Sequence, residues 1–266
     1  MSGVKREKAS QLSEGDPRFM TSLARGLDVL CAFEGHAALT VTQAAKLTGL
    51  SRSSVARCLF TLESLGYVAG DGTAYRLRPS LLPLARAFSY SDPLTKAGQP
   101  IVNAVRDRLK ESCSLGMLDM RTAYETIVYI CRAETSRIIS VPLLIGSTLP
   151  SYCTSIGRVL LAALPEEELE KYLASTSFPA RTAKTIITPA SLERELSLVR
   201  QQGWAIADGE LEPGLRSIAV PVRKGDGCVV AALNLATQAT HRSLDWLTET
   251  ALLELQAAAA HLSRVF

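Results

Sequence analysis

The sequence predicts an α+β chain in two parts: an N-terminal winged helix-turn-helix domain and, beyond a helical connector, a larger domain built around an antiparallel sheet. Three observations carry this. Three short amphipathic segments and two strand-like runs around Asp71-Gly72 fill residues 19–78. Beyond residue 112, apolar strand-like runs cluster, with helical patterns between and after them, which argues for an α+β layer structure. The charge also divides: residues 1–96 hold 12 Lys/Arg against 8 Asp/Glu, a net of +4, whereas the remaining 170 hold 17 against 18, a net of −1. The basic excess of the first third points, weakly, to an anionic partner.

The elements follow in order. The polar stretch "MSGVKREKASQLSEGDPRF" has no apolar run of signal-peptide type, so residues 1–18 are expected to be a flexible arm and the chain cytoplasmic. "MTSLARGLDVLCAF" places Leu23, Leu27 and Leu30 at helical spacing. A short helix from about Thr42 to Leu47 stops at Gly49, and Ser51 is a natural N-cap for the next helix. In that third helix Val55, Leu59, Leu62 and Leu65 make the stripe expected to be buried. "YVAGDGTAYRLR" reads as a hairpin turning on Asp71-Gly72, the wing.

Residues 79–96 are expected to be the helical connector, broken near Pro93, with the second domain at 97–266. Within it "CSLGMLDM", "ETIVYICRA", "RIISVPLLIG", "WAIADGE", "RSIAVPVR" and "CVVAALNLA" read as strands. "SIGRVLLAAL", "PEEELEKYLAS", "TPASLERELSLVRQQG" and "SLDWLTETALLELQAAAAHLSRVF" read as helices.

Composition excludes several classes. At 47% hydrophobic and 21% charged, the 266 residues can bury a sizeable core and are not globally disordered. No apolar run approaches the ~18–20 residues of a bilayer span. The six cysteines lie in apolar segments without a C-x-x-C, so reduced, mostly buried thiols are expected, and neither metal nor cofactor. Cys153 and Ser155 are nucleophile types, but no histidine lies near them in sequence and no G-x-S-x-G is present, so the chain is not expected to be an enzyme.

The third helix opens "SRSSVAR", with hydroxyls and guanidiniums where the helix dipole favours carboxylates, and keeps its acid, Glu63, for later. Such a helix is built to meet negative charge.

From about Phe19 to the C-terminus the chain resembles the IclR-type bacterial transcriptional regulators. The resemblance rests on "SLARGLDVLCAF", "LTVTQAAKLTGLSRSSVARCLFTLESLGYV", "LPSYCTSIGRVLLAAL", "GWAIADGELEPGLRSIAVPV" and "AALNLATQ". The wording of several of these looks closest to the PcaR/PcaU/PobR branch. The resemblance implies a curved antiparallel sheet in an effector-binding and oligomerisation domain. It also implies a pseudo-palindromic double-stranded DNA operator, a homodimer or dimer of dimers, no membrane, and control of aromatic-acid catabolism. The effector would be a small carboxylic acid such as protocatechuate, 4-hydroxybenzoate or β-ketoadipate.

On this reading Arg52, Ser53, Ser54 and Arg57, with Ser51 at the cap, face the major groove, where arginine recognises guanine and serine reaches a phosphate or base. Thr42, Gln43, Arg25 and the wing's Arg76 are placed for phosphate contact. Cys153, Thr154 and Ser155 open an apolar helix whose free N–H groups suit a carboxylate, with Ile156 packing on the ligand body. Plain capping by Thr154 or Ser155 is the alternative. Gly157 would allow close backbone packing. Asp208, Ser217, Asn234 and Ala236 are implied to face the same pocket. Arg158 and Arg216 contact ligand or form ion pairs; for Arg216 the partners in reach are Asp208, Glu210 and Glu212. The competing function is a winged-helix protein whose second domain only dimerises and senses nothing. A pocket of several hundred Å³ with convergent polar groups would favour the sensor.

Overall fold

The structure, a computed structural model, describes residues 16–135 and 143–265. They form two compact units that meet in sequence between Ser91 and Asp92.

The first unit opens with α1 (Thr21–Cys31), α2 (Val41–Thr48) and α3 (Arg52–Ser64). Thr40 and Gln43 make a reciprocal capping box at the start of α2, and Gly49 ends it in the left-handed conformation. Ser51 then accepts the Ser54 N–H to start α3, so the turn between the two helices is only Gly49-Leu50-Ser51. The core is Val29, Phe33, Leu39, Ala44, Val55, Leu59, Leu62 and Val68. Leu23 and Leu27, though at helical spacing, are more than half exposed, because the inward face of α1 is set by Val29 and by Phe33 one turn on. One expectation is corrected here. Leu65 is 65% exposed, because α3 stops at Ser64 and Gly66 at φ +77° turns the chain away.

The wing is β1 (Val68–Gly70) paired with β2 (Tyr75–Leu77), and Leu39 bridges Tyr75 as a third partner. The hairpin turns on Gly72-Thr73 rather than Asp71-Gly72. Asp71 donates its N–H to the Ala74 carbonyl, and its carboxylate accepts the Thr73 and Ala74 N–H groups. After the 3₁₀ turn Pro79–Leu81 comes α4 (Leu82–Ser91), none of whose residues is buried.

The second unit begins with α5 (Pro93–Leu109), capped by Asp92. Its sheet contains β3 (Ser112–Leu118), β4 (Thr126–Ala133), β5 (Thr148–Pro150), β6 (Ala205–Asp208), β7 (Leu215–Arg223) and β8 (Val229–Gln238). The order is β5-β4-β3-β8-β7-β6, every pair antiparallel, and the sheet is curved. The helices α6 (Ser155–Ala162), α7 (Glu166–Ser175) and α8 (Pro189–Gln202) follow β5. The chain then closes with α9 (Leu244–Trp246), a π turn (Leu247–Ala251) and α10 (Leu252–Ser263). The terminal helix expected from sequence is thus interrupted.

Part of "RIISVPLLIG" lies outside the described residues; Leu143–Gly146 form no strand, and the strand there is the unanticipated β5. Of the thiols, Cys113, Cys131 and Cys153 are buried, Cys31 and Cys58 half-buried and Cys228 exposed.

The alternation along the strands decides what each face can hold. On β8, Leu233 and Leu235 pack with Leu115, Ile218 and Val220 beneath α5 and α10. The opposite face of β8 carries Ala232, Asn234 and Ala236, met by Gly116 and Ser114 on β3 and by Ala219 and Ser217 on β7. A face of small and polar residues cannot fill itself. Helices α6–α8 cover part of it, and the remainder is the cleft described next.

Candidate functional site

Two surfaces combine the residue types singled out above. The first is the outward side of α3. With Val55, Leu59 and Leu62 pointing to the core, Arg52, Ser53 and Arg57 are exposed, and among the described residues no carboxylate lies within ion-pair distance of either arginine. Ser51 and Ser54 are partly committed to the helix start: Ser51 accepts the Ser54 N–H, and the two hydroxyls lie 2.9 Å apart. Thr42 and Arg25 are exposed. The Gln43 carbonyl oxygen accepts the Thr40 N–H at 2.9 Å, leaving its amide NH₂ for other partners. Arg76 sits 3.9 Å from Asp71 across the wing.

The second surface is the cleft of the larger unit. Ser114 lies directly opposite Arg132 on one side and Asn234 on the other, so the three side chains form one row across β4, β3 and β8. Ser217, opposite Ala236 and Ala207, belongs to the next row. The Arg132 guanidinium is almost wholly buried. It donates to Ser114 Oγ at 3.0 Å and to Glu134 at 2.7 Å, and it lies 5.3 Å from the centre of the Tyr129 ring. Its backbone is clamped as well: the Gln99 side chain on α5 accepts the Arg132 N–H and donates to the Arg132 carbonyl. Asn234 is 5% exposed, and its Oδ1 has no hydrogen-bond partner.

Over this floor lies the start of α6. Thr154 Oγ1 accepts the Gly157 N–H at 3.3 Å and donates to the Pro150 carbonyl at 2.9 Å, so the capping reading of Thr154 holds. Gly157 is obligatory: a Cβ there would lie 2.0 Å from the Ser151 carbonyl oxygen. The Cys153 thiol is pushed up to about 11, chiefly by burial, and so stays protonated and a poor nucleophile at neutral pH.

Leu143, Leu149, Leu211 and Leu215 make the apolar rim. The enclosed space is about 30 Å³, well short of the several hundred set out above, so the convergent polar groups are present but the room for a ring is not. Among the described residues no cluster of His, Cys, Asp and Glu suited to a metal occurs, and no helix is long and apolar enough to cross a membrane.

Comparison with known proteins decides the family. The IclR helix-turn-helix domain matches residues 22–72, and the bacterial transcriptional regulator IclR C-terminal domain matches residues 89–264. The chain belongs to the IclR family. Among relatives, the Pca regulon regulatory protein of Pseudomonas putida is 46% identical over 232 residues, covering 86% of this chain and 78% of its own. The p-hydroxybenzoate hydroxylase transcriptional activator of Acinetobacter baylyi is 30% identical, covering 88% and 87%. An IclR homolog from Microbacterium hydrocarbonoxydans, solved in complex with 4-hydroxybenzoate, superposes with a TM-score of 0.76 at 25% identity, covering 92% and 98%. This IclR-family chain is therefore a transcriptional regulator with a helix-turn-helix DNA-binding domain, of the Pca branch, and not an enzyme.

Of the residues expected at the family's pocket, the structure brings Cys153, Thr154, Ser217, Asn234 and Ala236 to the cleft and leaves Ser155, Ile156, Asp208 and Arg216 out of it. Ser155 does not line the cleft, and its hydroxyl is fully buried without a partner. Ile156 packs against Gly116. Asp208 and Arg216 hold each other at 2.6 Å, with Lys184 also on Asp208; these hydrogen bonds keep the Asp208 carboxyl below the usual carboxylate range. Arg158 is likewise an ion-pair residue: it is buried on Glu210 and Glu195 and donates to the carbonyls of Tyr152 and Ile206.

Sequence reasoning missed Arg132, Tyr129 and Glu210 in the cleft lining. Arg132 had a visible signal, a lone cation inside the apolar strand "TIVYICRA". Glu210 had none, since only the fold places it against Arg158.

Proposed function

We propose that the protein is a cytoplasmic, homo-oligomeric DNA-binding regulator whose cleft takes a small aromatic or ring-cleavage acid such as 4-hydroxybenzoate, protocatechuate or β-ketoadipate. The observation that carries this is Arg132, a nearly buried guanidinium laid over Ser114 on a floor of small residues, beside the unpartnered Asn234 oxygen. A buried guanidinium is a geometric match for a carboxylate, and an acceptor such as Asn234 Oδ1 suits a hydroxyl on the same ligand. The names of the relatives and the 4-hydroxybenzoate bound in the Microbacterium structure support the same class.

The DNA surface of this reading is α3 with the wing. Arg52, Ser53 and Arg57 face base edges of a pseudo-palindromic operator, while Thr42, Gln43, Arg25 and Arg76 meet phosphates. The domains are 19–78 for DNA, 79–96 as connector and 97–266 for effector and self-association.

Because the enclosed space is smaller than an aromatic ring, binding requires the leucine rim to move. The ligand therefore favours an arrangement other than the one described, which is what an effector needs in order to act. Gln99 supplies a mechanical link, since it ties the backbone of Arg132 to α5, the helix that follows the DNA-binding unit in the chain.

Titration calorimetry with these three acids and with 4-hydroxybenzamide tests the proposal. The expected result is binding of at least one acid, at least tenfold tighter than the amide, a step of ~1.4 kcal/mol. No acid binding at all, or equal binding of 4-hydroxybenzoate and its amide, would overturn it.

A further inference from the structure

We propose that Phe60 reads the C5-methyl group of thymine in the operator. This rests on α3 being the recognition helix, as proposed above. The helix presents Ser53, Arg57, Phe60 and Ser64 along one outward line, spaced i, i+4, i+7 and i+11, directly opposite the buried Val55, Leu59 and Leu62. Phe60 stands in the middle of that line with 69% of its surface exposed, the most exposed of the unit's aromatic side chains. It belongs neither to the core of this unit nor to the half-buried shell packed on it. An apolar ring held in water on a rigid helix, with no packing role, is free to meet a partner.

The surroundings say which partner. The same face carries the cation Arg57, with Arg52 on its flank in the first turn, and the helix's one acid, Glu63, is turned to the wing, where it accepts the Gly70 N–H. A face that is cationic and hydroxyl-bearing, and cleared of its carboxylate, complements the polyanionic duplex rather than an ordinary protein surface. Along the axis, Ser53 to Phe60 covers about 10 Å at ~1.5 Å per residue, about three base-pair steps. Phe60 therefore falls within the groove segment that Arg57 addresses. In the major groove the thymine methyl is the apolar mark of the base-pair code, and phenylalanine is one of the side chains that contacts it. Arg57 and Phe60 would thus read neighbouring bases by different chemistry, a guanine acceptor edge and a thymine methyl.

The test uses the full chain and a randomised duplex pool. Wild-type protein is expected to enrich a sequence with thymine at one position per half-site, and Phe60→Ala to lose the preference there while keeping it elsewhere. Alanine is a stronger helix former and Phe60 packs on no core residue, so the variant should melt with the wild type. On the enriched duplex, replacing that thymine by deoxyuridine removes only the methyl group. This should weaken wild-type binding about fivefold and leave Phe60→Ala unaffected. If Phe60→Ala keeps the wild-type base preference, or the deoxyuridine duplex binds wild type equally well, the assignment is overturned; a simultaneous change in transcriptional output would then mark Phe60 as a protein contact. A wild type that enriches no sequence would overturn the recognition-helix reading itself, and this assignment with it.

Discussion

The Glu63 carboxylate on α3 accepts the backbone N–H of Gly70 on the wing at 2.7 Å. This accounts for an oddity of α3, which carries its cations first and its acid later. The acid is a strut between helix and hairpin, and its hydrogen bond holds the negative charge on the wing side. Gly70 is shaped to it: an added Cβ would come 3.0 Å from that carboxylate oxygen and 3.1 Å from the Tyr75 ring. Glu63→Ala is expected to cost about 1 kcal/mol, the middle of the range for an exposed hydrogen bond to a charged group after solvent screening. Amide exchange at Gly70 should accelerate while exchange in the α3 core stays slow. Unchanged exchange at Gly70 would refute the strut.

Arg57→Ala should weaken specific DNA binding by ~1–3 kcal/mol if its guanidinium reads a base. Arg25→Ala, a phosphate contact in this reading, should weaken all duplexes alike and lower the salt slope by about one. Binding isotherms at several salt concentrations separate the two. If Arg52→Ala and Arg57→Ala both bind as wild type does, the recognition surface lies elsewhere.

Gly157→Ala tests the packing at the start of α6. Its new methyl group would overlap the Ser151 carbonyl, carbon and Cα at once, and none of these is a flexible side-chain end. Ser151 is itself pinned, donating to the Tyr124 and Glu125 carbonyls and bonding the Tyr172 hydroxyl. A loss of several kcal/mol is expected, at the diagnostic end of the range for single substitutions, about 4 or more. Thermal melting is the measurement, and a variant within about 1 kcal/mol of wild type would mean that the loop relaxes freely.

How much of this was legible beforehand depended on where the information sits in the chain. The turn between α2 and α3 and the cap at Ser51 are local matters, and residue types alone identified them; at the start of α6 they left the cap open between Thr154 and Ser155 and said of Gly157 only that it would allow close packing. Burial at element ends was not local. Leu65 fits the apolar period, yet the chain reverses at Gly66 before it can bury that side chain. In the cleft, it was the family resemblance that pointed to Ser217, Asn234 and Ala236, and the alternation along β7 and β8 puts them on the face opposite the buried apolar residues. Sequence placed Ser155 and Ile156 there too, since a helix start was known but its rotation was not. Rotation is fixed by the contact of Ile156 with Gly116, two segments 40 residues apart. Arg216 and Asp208 became mutual partners through the β6–β7 register, which no single-strand pattern encodes.

That register pair has a pH signature. Asp208 is held below its ordinary pKa first by the hydrogen bond from Lys184 and then by that from Arg216. A depressed carboxylate stabilises the fold above its unfolded pKa and loses that contribution as pH falls through the folded value. Asp208→Asn should therefore be less stable than wild type at pH 7, by about 1 kcal/mol once exposure is discounted. The gap should close as pH drops below about 4, the ordinary carboxylate range. Melting curves of both proteins from pH 7 to pH 3 give the comparison, and a gap that persists unchanged at pH 3 would remove the ion pair as its source.

The cleft offers two places for a carboxylate, and substitution distinguishes them. At one end the Arg132 guanidinium lies over Ser114; at the other are Thr154 and the N–H groups of the α6 start. Arg132 provides a guanidinium in a nearly dry setting, where a charge-assisted hydrogen bond contributes ~1.5–3 kcal/mol, although its Nε is already held by Glu134, so a ligand carboxylate must take its remaining donors. The helix dipole adds only ~0.3–1, or up to ~2 when partly buried, and Thr154 already spends its hydroxyl on Gly157 and Pro150. Arg132→Gln should therefore abolish the preference for 4-hydroxybenzoate over its amide, and Thr154→Val should weaken acid and amide alike. Ser155→Ala should change neither, because the buried hydroxyl faces no part of the cleft. Neither Arg132→Gln nor Ser155→Ala should alter DNA affinity in the absence of ligand. Gln99→Met completes the set: it frees the Arg132 backbone from α5, so ligand should still bind while its effect on DNA affinity shrinks. Calorimetry for the ligand and duplex titrations with and without it read these separately. If Ser155→Ala weakens the acid more than the amide while Arg132→Gln leaves the acid–amide ratio intact, the carboxylate sits at the helix start and Arg132 is a structural ion-pair residue.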